Sequence, residues 1–129
     1  MPLSDLAAAL AAATGPSRDL DAEISTRLFG LTMWKPTNCG WFVSSRSHPL
    51  PCEPPRYTAS LDAITGAIEA RWPHCWWFAG NYNPDGDECD GPSARIIIGE
   101  GIECTMEAET PALALCLAAV RLAMAEEGR

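Results

Sequence analysis

The chain has 129 residues and a formal net charge of −8, with a sequence pI of about 4.6. A hydrophobic fraction of 47% and a charged fraction of 20% exclude an intrinsically disordered chain and suffice for a core that needs no disulfide or metal. The nine Lys and Arg are scattered, and Arg18, Arg27, Arg46, Arg56, Arg71 and Arg95 form no run. No nucleic-acid partner and no membrane partner are therefore expected, because both surfaces are polyanionic.

The longest apolar stretch, Pro111 to Ala119, falls far short of the ~20 residues of a membrane span. Met1 to Ala13 carries no basic region ahead of its apolar run, and Asp5 comes early, so no secretory signal is read there. A cytoplasmic location follows as the expectation. Six cysteines, at 39, 52, 75, 89, 104 and 116, are then expected to be reduced thiols.

In chain order, Leu3, Leu6 and Leu10 recur at helical spacing, with Ser4 as the expected N-cap and Gly15 as the stop, predicting a helix over 5–13. Pro16 and Ser17 open a second helix. Leu20, Ile24 and Leu28 form its stripe, fit for a core or a dimer contact, Asp19 and Asp21 lie in its first turn, and Gly30 ends it. Residues 31–57 read as an irregular loop containing Pro and Cys, with one short strand at Trp41-Phe42-Val43. Thr58 or Ser60 caps a third helix that runs through Arg71, with Leu61, Ile64, Ile68 and Trp72 on its apolar face and Pro73 at its close.

Cys75 to Tyr82 is an aromatic-rich strand, Asn83 to Pro92 a polar turn, and Ala94 to Ile98 a central strand. Gly99-Glu100-Gly101 is a tight turn. Ile102, Cys104, Met106 and Ala108 then alternate with Glu103, Thr105, Glu107 and Glu109, giving a strand with one buried and one solvated face. Thr110 caps a last helix with Pro111 in its first turn, running to about Ala125, and its alanines allow close packing on a sheet. The expected class is α+β: one domain over residues 1–129, a helix-sheet-helix layered sandwich with an antiparallel meander of three or four strands and about four helices.

Three stretches resemble the phage ABA-sandwich domain family. Gly15-Pro16-Ser17-Arg18-Asp19-Leu20-Asp21-Ala22 is similar to its opening motif, Tyr57-Thr58-Ala59-Ser60-Leu61-Asp62-Ala63 to its middle motif, and Glu109-Thr110-Pro111 with the following residues to Ala119 to its closing motif. They occur in the same order and span roughly residues 3–125. The resemblance implies a phage or prophage protein of the bacterial host cytoplasm, a helix-sheet-helix sandwich, and no catalytic residues. The loop from Lys35 to Arg56 and the acidic turn near Asp87 are where this chain departs from that pattern.

Catalytic signatures are absent from the sequence. His48 and His74 both neighbour prolines, and there is no nucleophile elbow, no zinc-protease motif and no phosphate-binding glycine loop. Cys39, His48, Cys52, His74, Cys75 and Cys89 fall in or near loops but at no zinc-finger spacing, and Cys116 reads as packing. Asn81 to Asp87 places oxygen ligands at alternate positions, yet Pro92 stands where a calcium loop needs glutamate, so a polar hairpin is the reading. No metal and no cofactor are expected. The helix-strands-helix order from Thr58 to Ala125 imitates a double-stranded-RNA-binding domain, but its last helix opens without the cations that such a domain needs.

The five tryptophans are the most distinctive set. Trp72 reads as core, and Trp76 and Trp77 face opposite sides of a strand. Trp34, Trp41 and Tyr57 border the irregular loop. Together with Trp77 they are candidates to stack a planar ligand whose phosphates Arg18, Arg56 or Arg95 would hold, with plain packing as the alternative for each. The leading expectation is thus a non-enzymatic phage accessory protein that blunts a bacterial defence by sequestering a small nucleotide-derived ligand. The alternatives are an acidic protein-interaction module that inhibits a basic host protein, and a structural or assembly accessory of the phage, which would self-associate as a homo-oligomer.

Overall fold

From Pro111 to Val120 the sequence has no charged residue and scarcely a polar atom, so a helix formed there has no face to offer water. In the computed structural model that stretch is the helix around which the rest is assembled. The structure describes residues 2–29, 33–34, 42–44, 49–51, 55–80, 92–99 and 102–127. The elements are α1 (Leu3–Ala12), α2 (Arg18–Leu28), β1 (Met33–Trp34), β2 (Phe42–Ser44), β3 (Pro49–Pro51), α3 (Leu61–Arg71), β4 (Trp76–Gly80), β5 (Ser93–Ile97), β6 (Glu103–Glu107) and α4 (Pro111–Glu127).

The α+β class and its layering of helices with an antiparallel meander follow the expectation. β4, β5 and β6 form a sheet in chain order, with Trp77 opposite Ile96 and Ile96 opposite Cys104. α4 lies against all three strands and also touches α1, α2 and α3. Residues Ala112 to Val120, with Leu122 and Ala123, are buried whichever way they point. The alanines therefore serve two contacts, the sheet on one side and the helices on the other. No helix among the described residues is long and apolar enough to cross a membrane.

Thr110 caps α4 as the sequence predicts, Ser60 and not Thr58 caps α3, and Ser17, which the sequence places at the opening of α2, is its N-cap. Ser17 Oγ accepts from Leu20 N, Ser60 Oγ from Ala63 N and Thr110 Oγ1 from Leu113 N, at 3.3, 3.3 and 3.1 Å. The first helix differs. It begins at Leu3, with Pro2 in the N-cap position and Leu6 N bonded to Pro2 O at 3.0 Å. The earlier start carries Leu3 into the core beside Leu6 and Leu10, and Ser4 is left exposed in the first turn.

Ile24 and Leu28 of α2 enter the core, so its stripe serves packing within the chain. On α3, Ile64, Ile68 and Trp72 are buried, but Leu61 is exposed at the first turn. β4 stops at Gly80 and β5 starts at Ser93, each within two residues of expectation. Gly99 sits at φ 64°, in the left-handed region that suits glycine, and Ile98 N bonds to Ile102 O at 2.8 Å to close the β5–β6 connection. Glu100 and Gly101 of that turn lie outside the described residues.

The stretch 31–57 is a correction. It holds a second antiparallel sheet, ordered β1-β2-β3, where the sequence suggests one strand. Pro49 and Pro51 hid β3, since proline is read as a breaker, but β3 is an edge strand, which needs no N–H on its outer side. The remainder of the Lys35–Arg56 loop up to Pro54, the polar turn 81–91, Gly30, His48, Cys39, Cys52 and Cys89 lie outside the described residues.

Candidate binding site

The three motif stretches meet. Ser17, at the head of α2, donates its N–H to Thr58 Oγ1 at 2.9 Å, and Thr58 Oγ1 lies 3.2 Å from Ser17 O. Asp21, one turn into α2, is 1% exposed. Its Oδ1 accepts from Thr58 N and from Thr58 Oγ1, both at 2.8 Å, and its Oδ2 accepts from Arg18 Nη1 at 2.7 Å. Beside this tie, Pro16, Thr58, Ala59, Leu61, Thr110 and Pro111 line a cleft of about 280 Å³. The tie is architectural. The Thr58 hydroxyl and the Asp21 carboxylate are committed to each other, and no nucleophile with a positioned base stands there.

A larger hollow, of about 360 Å³, opens between the C-terminal end of α2 and α3, lined by Leu28, Phe29, Tyr57, Ala67, Ala70 and Arg71. The α2 stripe ends at Leu28, and Phe29 caps the helix through its N–H to Ser25 O. Phe29 and Tyr57 present tilted rings with centroids 5.3 Å apart. Arg71, in the last turn of α3, donates from Nη1 to Leu28 O at 2.6 Å and from Nη2 to Glu126 Oε2 at 3.3 Å. Its guanidinium carbon stands 4.8 Å from the Trp72 ring centroid, a cation–π contact that fixes its plane. A guanidinium has five N–H donors, so those two bonds leave capacity for an anion. Burial raises the Tyr57 phenol above its ordinary value. Glu126 also accepts from Trp72 Nε1, so the wall of the hollow is braced by α4.

Of the described residues singled out from sequence, Tyr57, Arg18 and Arg56 lie about the turn before α3, and Trp77 stands apart on β4. Tyr57 lines the hollow, though it is 3% exposed and mostly core. Arg18 is tied to Asp21, near the same turn. Arg56 is exposed and begins that turn, its carbonyl accepting from Ser60 N at 2.9 Å. Trp77 belongs to β4, where its Nε1 donates to Glu69 Oε1 at 3.0 Å. Trp34 falls in β1 and packs its strand near α2, but its side chain and the whole of Trp41 lie outside the described residues. Phe29 and Arg71 are the additions. Their only sequence signal is position, an aromatic and a cation each at the C-terminal end of a helix, and that also describes ordinary capping.

Among the described residues the thiols of Cys75, Cys104 and Cys116 are free, and no group of three or more His, Cys, Asp and Glu side chains is placed to hold a metal. Burial raises all three thiols. Cys75 is raised further by Glu69, Cys104 is partly offset by Arg121, and Cys116 is pushed well above the ordinary value. Cys116 Sγ donates to Tyr57 O at 3.3 Å in the core. Since the thiolate is the nucleophile, iodoacetamide near neutral pH is expected to modify the half-buried Cys75 and Cys104 slowly. Cys116 reacts only after unfolding. A time course read by peptide mass spectrometry checks this, and rapid labelling of Cys116 in the folded protein contradicts it. Comparison of the chain with protein-family models, with curated proteins and with solved structures found no match.

Proposed function

We propose that this protein works by binding and not by catalysis, and that it sequesters a small planar anion of the nucleotide type in the hollow between α2 and α3. One observation carries the reading. An aromatic pair, Phe29 and Tyr57, and a braced guanidinium, Arg71, share a cavity of about 360 Å³, within the range of ordinary ligand sites. A base stacks on the Phe29 ring, and its phosphate reaches the remaining N–H groups of Arg71. The resemblance to the phage ABA-sandwich family supports a phage or prophage setting in the host cytoplasm. There, withdrawing a nucleotide-derived signal would blunt a bacterial defence.

The test is calorimetric titration with adenosine 5′-monophosphate, with adenosine as the uncharged control. Phe29→Leu keeps an apolar side chain and removes the π face. It is expected to weaken nucleotide binding about tenfold, since stacking contributes about 1–3 kcal/mol per base. Adenosine is expected to bind more weakly than the monophosphate. Equal affinity of wild type and Phe29→Leu, or equal affinity for the two ligands, would overturn the reading.

A further inference from the structure

The sheet has a second face. Ala79, Ala94, Ile96, Cys104 and Met106 point to the core beneath α4. Strand alternation turns the other set outward. The pairings align Trp76, Ile97 and Glu103 in one row across the sheet, Phe78, Arg95 and Thr105 in the next, and Gly80, Ser93 and Glu107 in the third. Trp76 is 76% exposed, an unusual position for the largest apolar side chain. With Trp77, Phe78, Arg95 and Ile97 it lines a groove of about 190 Å³. Arg95 lies along the surface, its Nε donating to Thr105 Oγ1 at 2.9 Å. Among the described residues only α4 packs extensively on this sheet, and it takes the inner face.

We infer that this outer face is a docking surface for a basic amphipathic helix of another protein. The charge arrangement decides the partner. The apolar side chains stand on β4 and β5, whereas exposed Glu103 and Glu107 stand on β6. Ile97 stands one strand spacing from the glutamates, about 5 Å, and Trp76 and Phe78 stand two, about 10 Å, so the three strands together match the width of a helix with side chains. A helix laid along the strands covers Trp76, Phe78 and Ile97 with its apolar stripe and meets Glu103 and Glu107 with a flanking row of Lys or Arg. The whole chain, at −8, attracts such a partner from a distance. A second copy fits less well, because it would bring two further glutamates and one arginine to the face and add a second charge of −8. This surface shares no residue with the hollow and does not depend on it.

The experiment uses the whole protein and a synthetic Leu/Lys amphipathic helical peptide of about 18 residues, with a Leu/Glu peptide of the same pattern as control. Binding is followed by fluorescence anisotropy of the labelled peptide at about 0.15 M salt. The Leu/Lys peptide is expected to bind and the Leu/Glu peptide not to. Trp76→Ala, at an exposed position that folding does not need, is expected to weaken binding at least tenfold. The double variant Glu103→Lys with Glu107→Lys is expected to weaken it comparably. Reversing two acids elsewhere, Asp5→Lys with Glu127→Lys, should leave affinity within about twofold. Three results overturn the proposal: no effect of Trp76→Ala, an equal effect of the remote charge reversal, or a dimer in sedimentation that Trp76→Ala converts to monomer.

Discussion

Asp21→Ala is expected to destabilise the fold by about 3 kcal/mol, which for a chain of this length lowers the melting temperature by about 10 °C. The carboxylate is 1% exposed and receives three hydrogen bonds, two from Thr58 and one from Arg18. Its loss leaves the Thr58 N–H without its acceptor in a site closed to water, and leaves the hydroxyl proton only the longer bond to Ser17 O at 3.2 Å. The Arg18 side chain is 30% exposed and can turn to solvent, which keeps the cost at the lower end for a broken buried pair. Asp21→Asn retains an acceptor for Thr58 but turns an amide toward Arg18, and is expected to cost about half as much. Thr58→Ala strands Ser17 N as well, and Thr58→Ser should restore most of the loss. Urea unfolding followed by tryptophan fluorescence measures all four. A double-mutant cycle of positions 21 and 58 should give a coupling of about 1–3 kcal/mol. A cost of Asp21→Ala below about 1 kcal/mol would show that the tie is not a fastening of the fold.

That tie also shows where reading the sequence stops. Ser17, Ser60 and Thr110 are legible as caps because each acts on an amide three residues away. The β6 alternation and the α+β class are legible for the same local reason. Asp21 reads as a dipole charge in the first turn of α2, which it is, but its partner Thr58 is 37 residues distant, and nothing local announces the pairing. The hollow is illegible on the same ground. Phe29 and Arg71 each look like the end of a helix, and only the packing of α2 beside α3 turns them toward a common space. β1 and β3 escaped because a strand of two or three residues carries no period and takes its stability from its neighbour. Trp76 and Trp77 are correctly assigned to opposite faces, yet alternation does not say whether a face is covered, and Trp76 proves the more exposed of the two.

Leu113→Ala and Leu115→Ala are each expected to cost about 2–5 kcal/mol, and the reason for making both is geometric. Two residues apart on a helix is about 200° of rotation, so the two side chains leave α4 in opposite directions. On a helix with one buried face, one of them would be expendable. Here both are 0% exposed, because α4 is packed on the sheet and on α1, α2 and α3 at once. Each truncation therefore opens a cavity in a different layer, and the two costs should add with little coupling. Their sum approaches the whole stability of a typical domain, about 5–15 kcal/mol, so the double variant is expected to be largely unfolded at 25 °C, where each single variant still folds. Ala125→Lys, at an exposed position about three turns further along α4, should change stability by less than about 0.5 kcal/mol. Circular dichroism and urea midpoints distinguish the outcomes. If one of the two leucines proves as replaceable as Ala125, α4 is fastened on a single side, and the sheet and the helical layer do not share it as their common core.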